Sequence, residues 1–203
     1  MKNYICINGK KTELPKEFLE EVMQKSEHRN VSIDGDIVTI SSGKEKYEFI
    51  VLDRSKETVA LLLKDLLVEE AIFGSNNDYR GSNVEALCDN FAKKIEYIVG
   101  ANNLVEHTVD LTSDDGLKDY GKIRKKMSLL TAEKARRFVD KLDKHKLDKW
   151  WWLSTPFSTS KHGNTTWVKC VSPFGCIYGG NSDDDYYGVR PFCILKSNIF
   201  VSK

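Results

Sequence analysis

The order in which hydrophobic periodicity changes along this 203-residue chain restricts its fold more than any single motif does. Val31-Ser32-Ile33, Ile37-Val38-Thr39-Ile40 and Tyr47-Glu48-Phe49-Ile50-Val51-Leu52 read as strands joined through Asp34-Gly35-Asp36 and Ser42-Gly43-Lys44. Thr58 to Leu63 continues the meander as a further buried strand. The period then switches. Val84, Leu87, Cys88, Phe91, Ile95 and Ile98 recur at three- and four-residue intervals between Asn83 and Val99, with Ser82 placed as N-cap and Gly100 as the stop, which predicts an amphipathic helix. Asn102 to Lys122 is polar and is expected to be irregular, and Met127 to Leu130 reads as a short strand. Thr131 caps a second helix with apolar positions at Ala135, Phe138, Val139 and Leu142. Short strands return at Trp151 to Leu153, Thr166 to Val171, Phe174 to Tyr178 and Val189 to Leu195. Strands, helices and strands again point to an α+β fold with mixed or antiparallel sheets and two main helices. A doubly wound parallel sheet would alternate its elements more regularly.

A small βα unit precedes this body. Tyr4, Ile5 and Ile7 before Asn8-Gly9 suggest a hairpin, and Pro15 opens a helix carrying Phe18, Leu19, Val22 and Met23 at helical spacing. Glu27 to Asn30 reads as a hinge, dividing the chain into an N-terminal extension over 1–28 and a main domain over 29–203. No run approaches the roughly 18 apolar residues that cross a bilayer, and the N-terminus lacks the apolar core of a signal peptide. A cytoplasmic protein without a membrane partner is expected. The cysteines agree: Cys6, Cys88, Cys170, Cys176 and Cys193 are an odd, scattered set, expected to be free and mostly buried thiols. Ser172-Pro173-Phe174-Gly175 reads as a type I turn closed by a left-handed glycine. It makes Cys170 face Tyr178 and leaves Cys170 and Cys176 diagonal, about 7–8 Å apart and too far for an unstrained disulfide.

The last third holds the candidate site. Trp150-Trp151-Trp152-Leu153-Ser154-Thr155-Pro156 and Gly188-Val189-Arg190-Pro191-Phe192 bracket a segment rich in Gly, Ser, Thr, Asn, Asp and Tyr, the composition of recognition loops on a rigid support. The three tryptophans cannot share one face of a strand, so at least one is expected to face the core and at least one to face away from it. Arg190, between Val189 and Pro191, is expected to be a buried guanidinium that ties loop carbonyls and a carboxylate. Ser158, Thr159, His162, Asn164, Tyr178, Asn181, Asp183, Asp185, Tyr186 and Tyr187 form the expected binding surface. Asn181, Asp183, Asp184 and Asp185 supply oxygens that suit calcium, but the solvated acidic loop is the favoured reading, so no metal and no cofactor is expected.

Net charge is +1, yet Lys122 to Lys149 holds 11 Lys and Arg against 4 Asp and Glu, or +7, leaving −6 elsewhere. Lys125, Lys126, Arg136, Arg137, Lys141 and Lys144 therefore form an alternative basic surface for an acidic protein or, less favoured without interleaved aromatics, nucleic acid. Enzymatic chemistry finds no motif: GxSxG, GxxxxGK[ST], GxGxxG and HExxH are absent, and His28, His107, His145 and His162 are isolated.

Trp151-Trp152-Leu153-Ser154-Thr155-Pro156 and Gly188-Val189-Arg190-Pro191, with Phe49 to Asp53 and Leu129 to Ala135 upstream, resemble a bacterial and phage domain family of uncharacterised function. Its members carry a WWLRSP-like motif, a polar hairpin region and a terminal GVRP. That family is similar to the C-type lectin-like fold of formylglycine-generating enzymes and of retroelement-diversified receptor proteins. The resemblance spans about residues 30 to 196 and implies a compact α+β core that displays contact residues on its final strands and loops. Ser154 stands where the family has arginine, so any network built on that arginine differs here. The enzymes' copper-binding cysteine pair and RGGSW-like motif are missing, which leaves a non-enzymatic recognition protein for a protein partner, with a glycan as second choice. The phage context of the family implies an alternative, an accessory protein that inhibits a host defence factor through the basic segment and in the host cytosol.

Overall fold

The structure, a computed structural model, describes residues 4–7, 10–13 and 29–200. At the N-terminus β1 (Tyr4–Ile7) and β2 (Lys10–Glu13) pair antiparallel, with Ile7 opposite Lys10. These are the strands of the hairpin expected around Asn8-Gly9. The helix expected near Phe18 to Met23 lies outside the described residues.

The expected meander is present as β3 (Arg29–Asp34), β4 (Ile37–Ser42), β5 (Glu45–Arg54) and β6 (Thr58–Leu63). β3 begins inside the segment read as a hinge. The chain then forms helix α1 (Asn83–Val99), strands β7 (Leu104–Val105), β8 (His107–Asp110), β9 (Lys122–Lys125) and β10 (Met127–Ser128), and short helices α2 (Ala132–Arg137) and α3 (Val139–Lys144). Three strands, β11 (Trp151–Pro156), β12 (Trp167–Val171) and β13 (Ile177–Asn181), make a separate sheet. The last strand, β14 (Phe192–Lys196), returns to the main sheet, whose order is β10-β14-β6-β5-β4-β3, with β7 also paired to β14. All these pairings are antiparallel, so the α+β reading holds.

Strand alternation builds two cores on the two faces of the main sheet. Phe49 and Val51 of β5, with Leu61 and Leu63 of β6, join a cluster covered by Val84, Cys88, Phe91, Ile95 and Ile98 of α1. Ile50 and Leu62 face the other way, against Leu130, Ala135, Leu142, Trp151, Leu153 and Val171. The helix forms for the reasons legible in its sequence: the Ser82 side chain accepts the Glu85 N–H, and Gly100 closes the last turn with φ +90°.

Two expectations need correction. Asn102 to Lys122 is not wholly irregular, since β7 and β8 lie in it and β8 pairs with β9. His107, Val109 and Leu111 are buried at every second position, a strand period diluted by polar neighbours. The second helix is broken at Phe138, whose φ of −105° and ψ of 23° end α2 and start α3. The break leaves Val139 exposed rather than in the expected core position. Among the described residues no helix is long and apolar enough to cross a membrane.

Arg190 is buried as expected, but its hydrogen bonds among the described residues go to carbonyls and not also to the expected carboxylate. Its Nε donates to the Leu63 carbonyl at 2.9 Å, its Nη2 to those of Lys64 at 2.8 Å and His145 at 3.2 Å, and its guanidinium lies 5.3 Å from the centre of the Trp151 ring. Burial lowers its pKa to about 10, and it stays charged at neutral pH. Arg190→Met keeps much of the volume but strands carbonyls that the guanidinium satisfied. Urea denaturation should show a loss of about 3 kcal/mol.

Candidate functional site

The C-terminal sheet is built as its sequence dictates. Ser172 to Gly175 forms the expected turn, with the Gly175 N–H donating to the Ser172 carbonyl at 2.9 Å and Gly175 at φ +84°. Cys170 pairs with Tyr178, and both cysteines of this hairpin are free, Cys170 buried and Cys176 exposed. The register puts Trp167, Lys169 and Gly179 on one face and Val168, Cys170, Tyr178 and Gly180 on the other. Gly180 has a packing reason, because a Cβ there would collide with the Tyr187 hydroxyl.

That contact corrects one expectation: Tyr187 is buried and is not a surface residue. Its ring lies 3.9 Å from that of Trp152 and 4.4 Å from that of Tyr186, and desolvation pushes its hydroxyl pKa well up. Tyr186 itself is exposed. Asp184 accepts from the Asn181 N–H at 3.0 Å and from the Tyr186 hydroxyl at 3.4 Å, so part of the acidic loop's oxygen supply holds the loop itself together. Asn181 is half-buried, whereas Asp183 and Asp185 are exposed. Among the described residues no three His, Cys, Asp or Glu side chains are placed to share a metal ion.

Ser158 and Thr159, expected on the surface, are also buried. Their hydroxyls close a polar knot between the 111–120 and 157–166 loops. Asp115 accepts from Ser113 Oγ at 2.5 Å, Ser158 Oγ at 2.6 Å and His162 Nδ1 at 2.9 Å. Thr159 donates to Asp119 at 3.0 Å. Buried Asn77 reaches the carbonyls of Ser158 at 3.0 Å, Asn164 at 3.3 Å and Trp167 at 3.1 Å, while its Oδ1 accepts from the Tyr120 hydroxyl at 2.8 Å. Half-buried Asn164 accepts the Trp167 N–H at 3.1 Å. Of the expected surface residues in this group only His162 is exposed. The residues are brought together, but as a structural joint.

The exposed part of the region is aromatic. Phe157 (43%), Trp167 (46%), Phe174 (81%), Tyr178 (52%) and Tyr186 (53%) are five of the eight exposed large hydrophobic side chains among the described residues, and all belong to this sheet and its loops. Phe157 and Trp167 meet edge to face at 6.4 Å, and half-buried Trp150 meets Tyr178 the same way at 5.5 Å. Sequence reasoning places Tyr178 and Tyr186 on the surface but misses Phe157, Trp167 and Phe174. Their signal is position: each sits at a strand end or turn of a polar, glycine-rich segment.

The alternative basic surface is neutralised by acids from elsewhere in the fold. Lys125 pairs with Glu85 at 2.7 Å and Asp89 at 2.8 Å, and Lys126 pairs with Glu96. Arg136 meets Asp114 at 2.6 Å and Arg137 meets Asp53 at 3.5 Å, while Lys141 at 3.7 Å and Lys144 at 2.7 Å share Asp36. The stripe that stands out in sequence is therefore an interleaved set of ion pairs. The histidines also separate. His107 lies 2.9 Å from Ser128 Oγ, but both are buried, and burial with the nearby Lys134 charge lowers the His107 pKa to about 4. His145 lies 3.8 Å from Asp36, and burial lowers its pKa.

Hydrogen bonds from Ser113, Ser158 and His162 hold the Asp115 carboxyl well below its usual pKa. Its stabilisation is fully present above the unfolded value of about 4 and is lost as pH falls towards the depressed folded value. Urea denaturation from about pH 6 to about pH 3 should show a shallower acid loss for Asp115→Asn than for the parent, from a lower starting stability. Equal slopes would remove Asp115 as the acid-sensitive joint.

No family model matches the chain, and it has no match among curated proteins or solved structures.

Proposed function

We propose that this chain is a non-enzymatic recognition protein, its main domain C-type lectin-like, which binds a protein partner through the aromatic rim of the C-terminal sheet. The observation that carries this reading is the concentration of Phe157, Trp167, Phe174, Tyr178 and Tyr186 on one three-stranded sheet and its loops, with Trp167 and Tyr178 on its opposite faces. Large aromatic rings supply contact area at low entropic cost and are the residue types that dominate protein interfaces. The rim also lies on the final strands and loops, where the resemblance to the WWLRSP and GVRP family puts contact residues. The polar knot supports the reading by fixing the loops before a partner arrives, which lowers the ordering cost of association.

The basic segment supports its alternative less well. An inhibitor that imitates or competes for a nucleic-acid surface needs a net field, and the ion pairs of Lys125, Lys126, Arg136, Arg137, Lys141 and Lys144 cancel it locally. Cys88, Cys170, Cys176 and Cys193 are free thiols, which accords with a reducing cytosol.

Affinity capture from a bacterial lysate tests the reading with two variants. Combined Trp167→Ala, Tyr178→Ala and Tyr186→Ala should abolish capture of the partner, a loss of at least about tenfold in affinity. Combined Arg136→Glu and Arg137→Glu should leave it within about twofold. The reverse pattern sinks the aromatic rim and favours the basic face.

A further inference from the structure

A cavity lies next to the Phe157 end of the aromatic rim. The loop after β8, the start of α2 and the end of β11 enclose about 260 Å³. Ligands of drug size occupy about 300–1,000 Å³, so this space suits something smaller. Its lining is polar and rich in hydroxyls. Thr131 and Thr155 are buried side chains on its wall; Thr131 Oγ1 accepts the Lys134 N–H at 3.2 Å and Thr155 Oγ1 accepts the Ala132 N–H at 2.9 Å. Among the described residues neither passes its own proton to a protein acceptor, so both remain as donors. Thr112 adds a third hydroxyl and donates it to Asp110 at 2.6 Å.

The charges on the lining decide the class of ligand. Asp110 is paired with Lys122 at 2.8 Å, and Asp114 with Arg136 at 2.6 Å and Lys169 at 3.1 Å. With Glu133, three acids stand on the lining against one cation, Arg136, while Lys122 and Lys169 pair with Asp110 and Asp114 from outside it. An anion would face carboxylates, and a cation would compete with the ion pairs that Asp110 and Asp114 already make. Neutral hydroxyl groups suit both sets, donating to carboxylate oxygens and accepting from Arg136 and the threonine hydroxyls. The walls are also fixed in advance. The Asp114 N–H donates to the Pro156 carbonyl at 3.0 Å and the Ser154 N–H to the Leu130 carbonyl at 2.9 Å, so three distant segments are already docked.

We infer that this cavity binds one neutral polyhydroxylated ring, a single sugar residue or cyclitol, without a metal ion. It does not rest on the aromatic rim as a binding surface, although the two adjoin through Lys169, which pairs with Asp114 and lies 5.3 Å from the centre of the Phe157 ring. Free sugars and the ends of glycan chains share this chemistry.

Chemical shifts of the ¹⁵N-labelled full chain are followed against methyl α-glucopyranoside, methyl β-galactopyranoside, methyl α-mannopyranoside, N-acetylglucosamine and myo-inositol, with lactose and sulfate as further arms. At least one monocycle should give saturable, millimolar shifts centred on the amides of Thr112, Asp114, Ala132, Glu133 and Thr155. Glu133→Gln, a change at an exposed side chain, and Arg136→Gln should each weaken that binding by about tenfold. Lactose bound as tightly as the best monocycle identifies the end of a glycan as the source; monocycles alone identify a free small molecule. The inference is overturned by the absence of saturable shifts from any sugar or cyclitol, by sulfate binding more tightly than all of them, by shifts centred on Trp167 and Tyr178, or by unchanged affinity in both variants.

Discussion

Two adjacent indoles hold the architecture together. Trp151 and Trp152 are consecutive residues of one strand, so their side chains leave it in opposite directions. Trp151 enters the core beneath α2 and α3, and Trp152 enters the core shared with α1. The small C-terminal sheet is thereby anchored in both hydrophobic clusters at once, and it cannot tilt without opening one of them. Arg190 secures the same point from the returning chain, lying over Trp151 while it satisfies carbonyls at the end of β6 and in α3's C-cap. The loops and the aromatic rim beyond β11 are displayed from this fixed base.

Rigid attachment alone would not order the long connections, and here polar chemistry takes over from hydrophobic packing. Asp115 and Asn77 each gather donors or acceptors from chain segments remote in sequence, so the 157–166 loop has backbone groups satisfied inside the protein. Buried polar groups are expensive when unpaired and rigidifying when fully paired. The serines, threonines and asparagines of the bracketed segment are therefore largely consumed in holding it still, and Phe157, Trp167, Phe174, Tyr178 and Tyr186 are left facing outward.

This division explains what could be read from the sequence. The hairpin at Ser172 to Gly175, the Ser82 cap and the α1 periodicity are legible because their causes lie within a few residues. Arg190 is legible as scaffold because a charged residue between core positions of a strand needs buried partners. The polar knot is not, since Ser158 meets Asp115 across 43 positions and Asn77 meets the Trp167 carbonyl across 90. Composition says only that such residues are hydrogen-bonded, and it cannot say whether to ligand, water or protein. Tyr187 is misread for a related reason: the space that admits it belongs to Gly180, on another strand. The charge of Lys122 to Lys149 is counted correctly, but its compensation by Asp36, Asp53, Glu85 and Glu96 is a property of the fold.

That compensation also governs how the molecule meets others in solution. A protein whose basic segment is stitched to its own acids carries little long-range potential, so an incoming partner is not drawn in from a distance or turned to the right orientation. Encounter with the proposed partner would then proceed at the rate of unsteered proteins, about 10⁵–10⁶ M⁻¹s⁻¹, and depend little on ionic strength. Selectivity for a correct partner must be exercised after contact, in how slowly the complex comes apart.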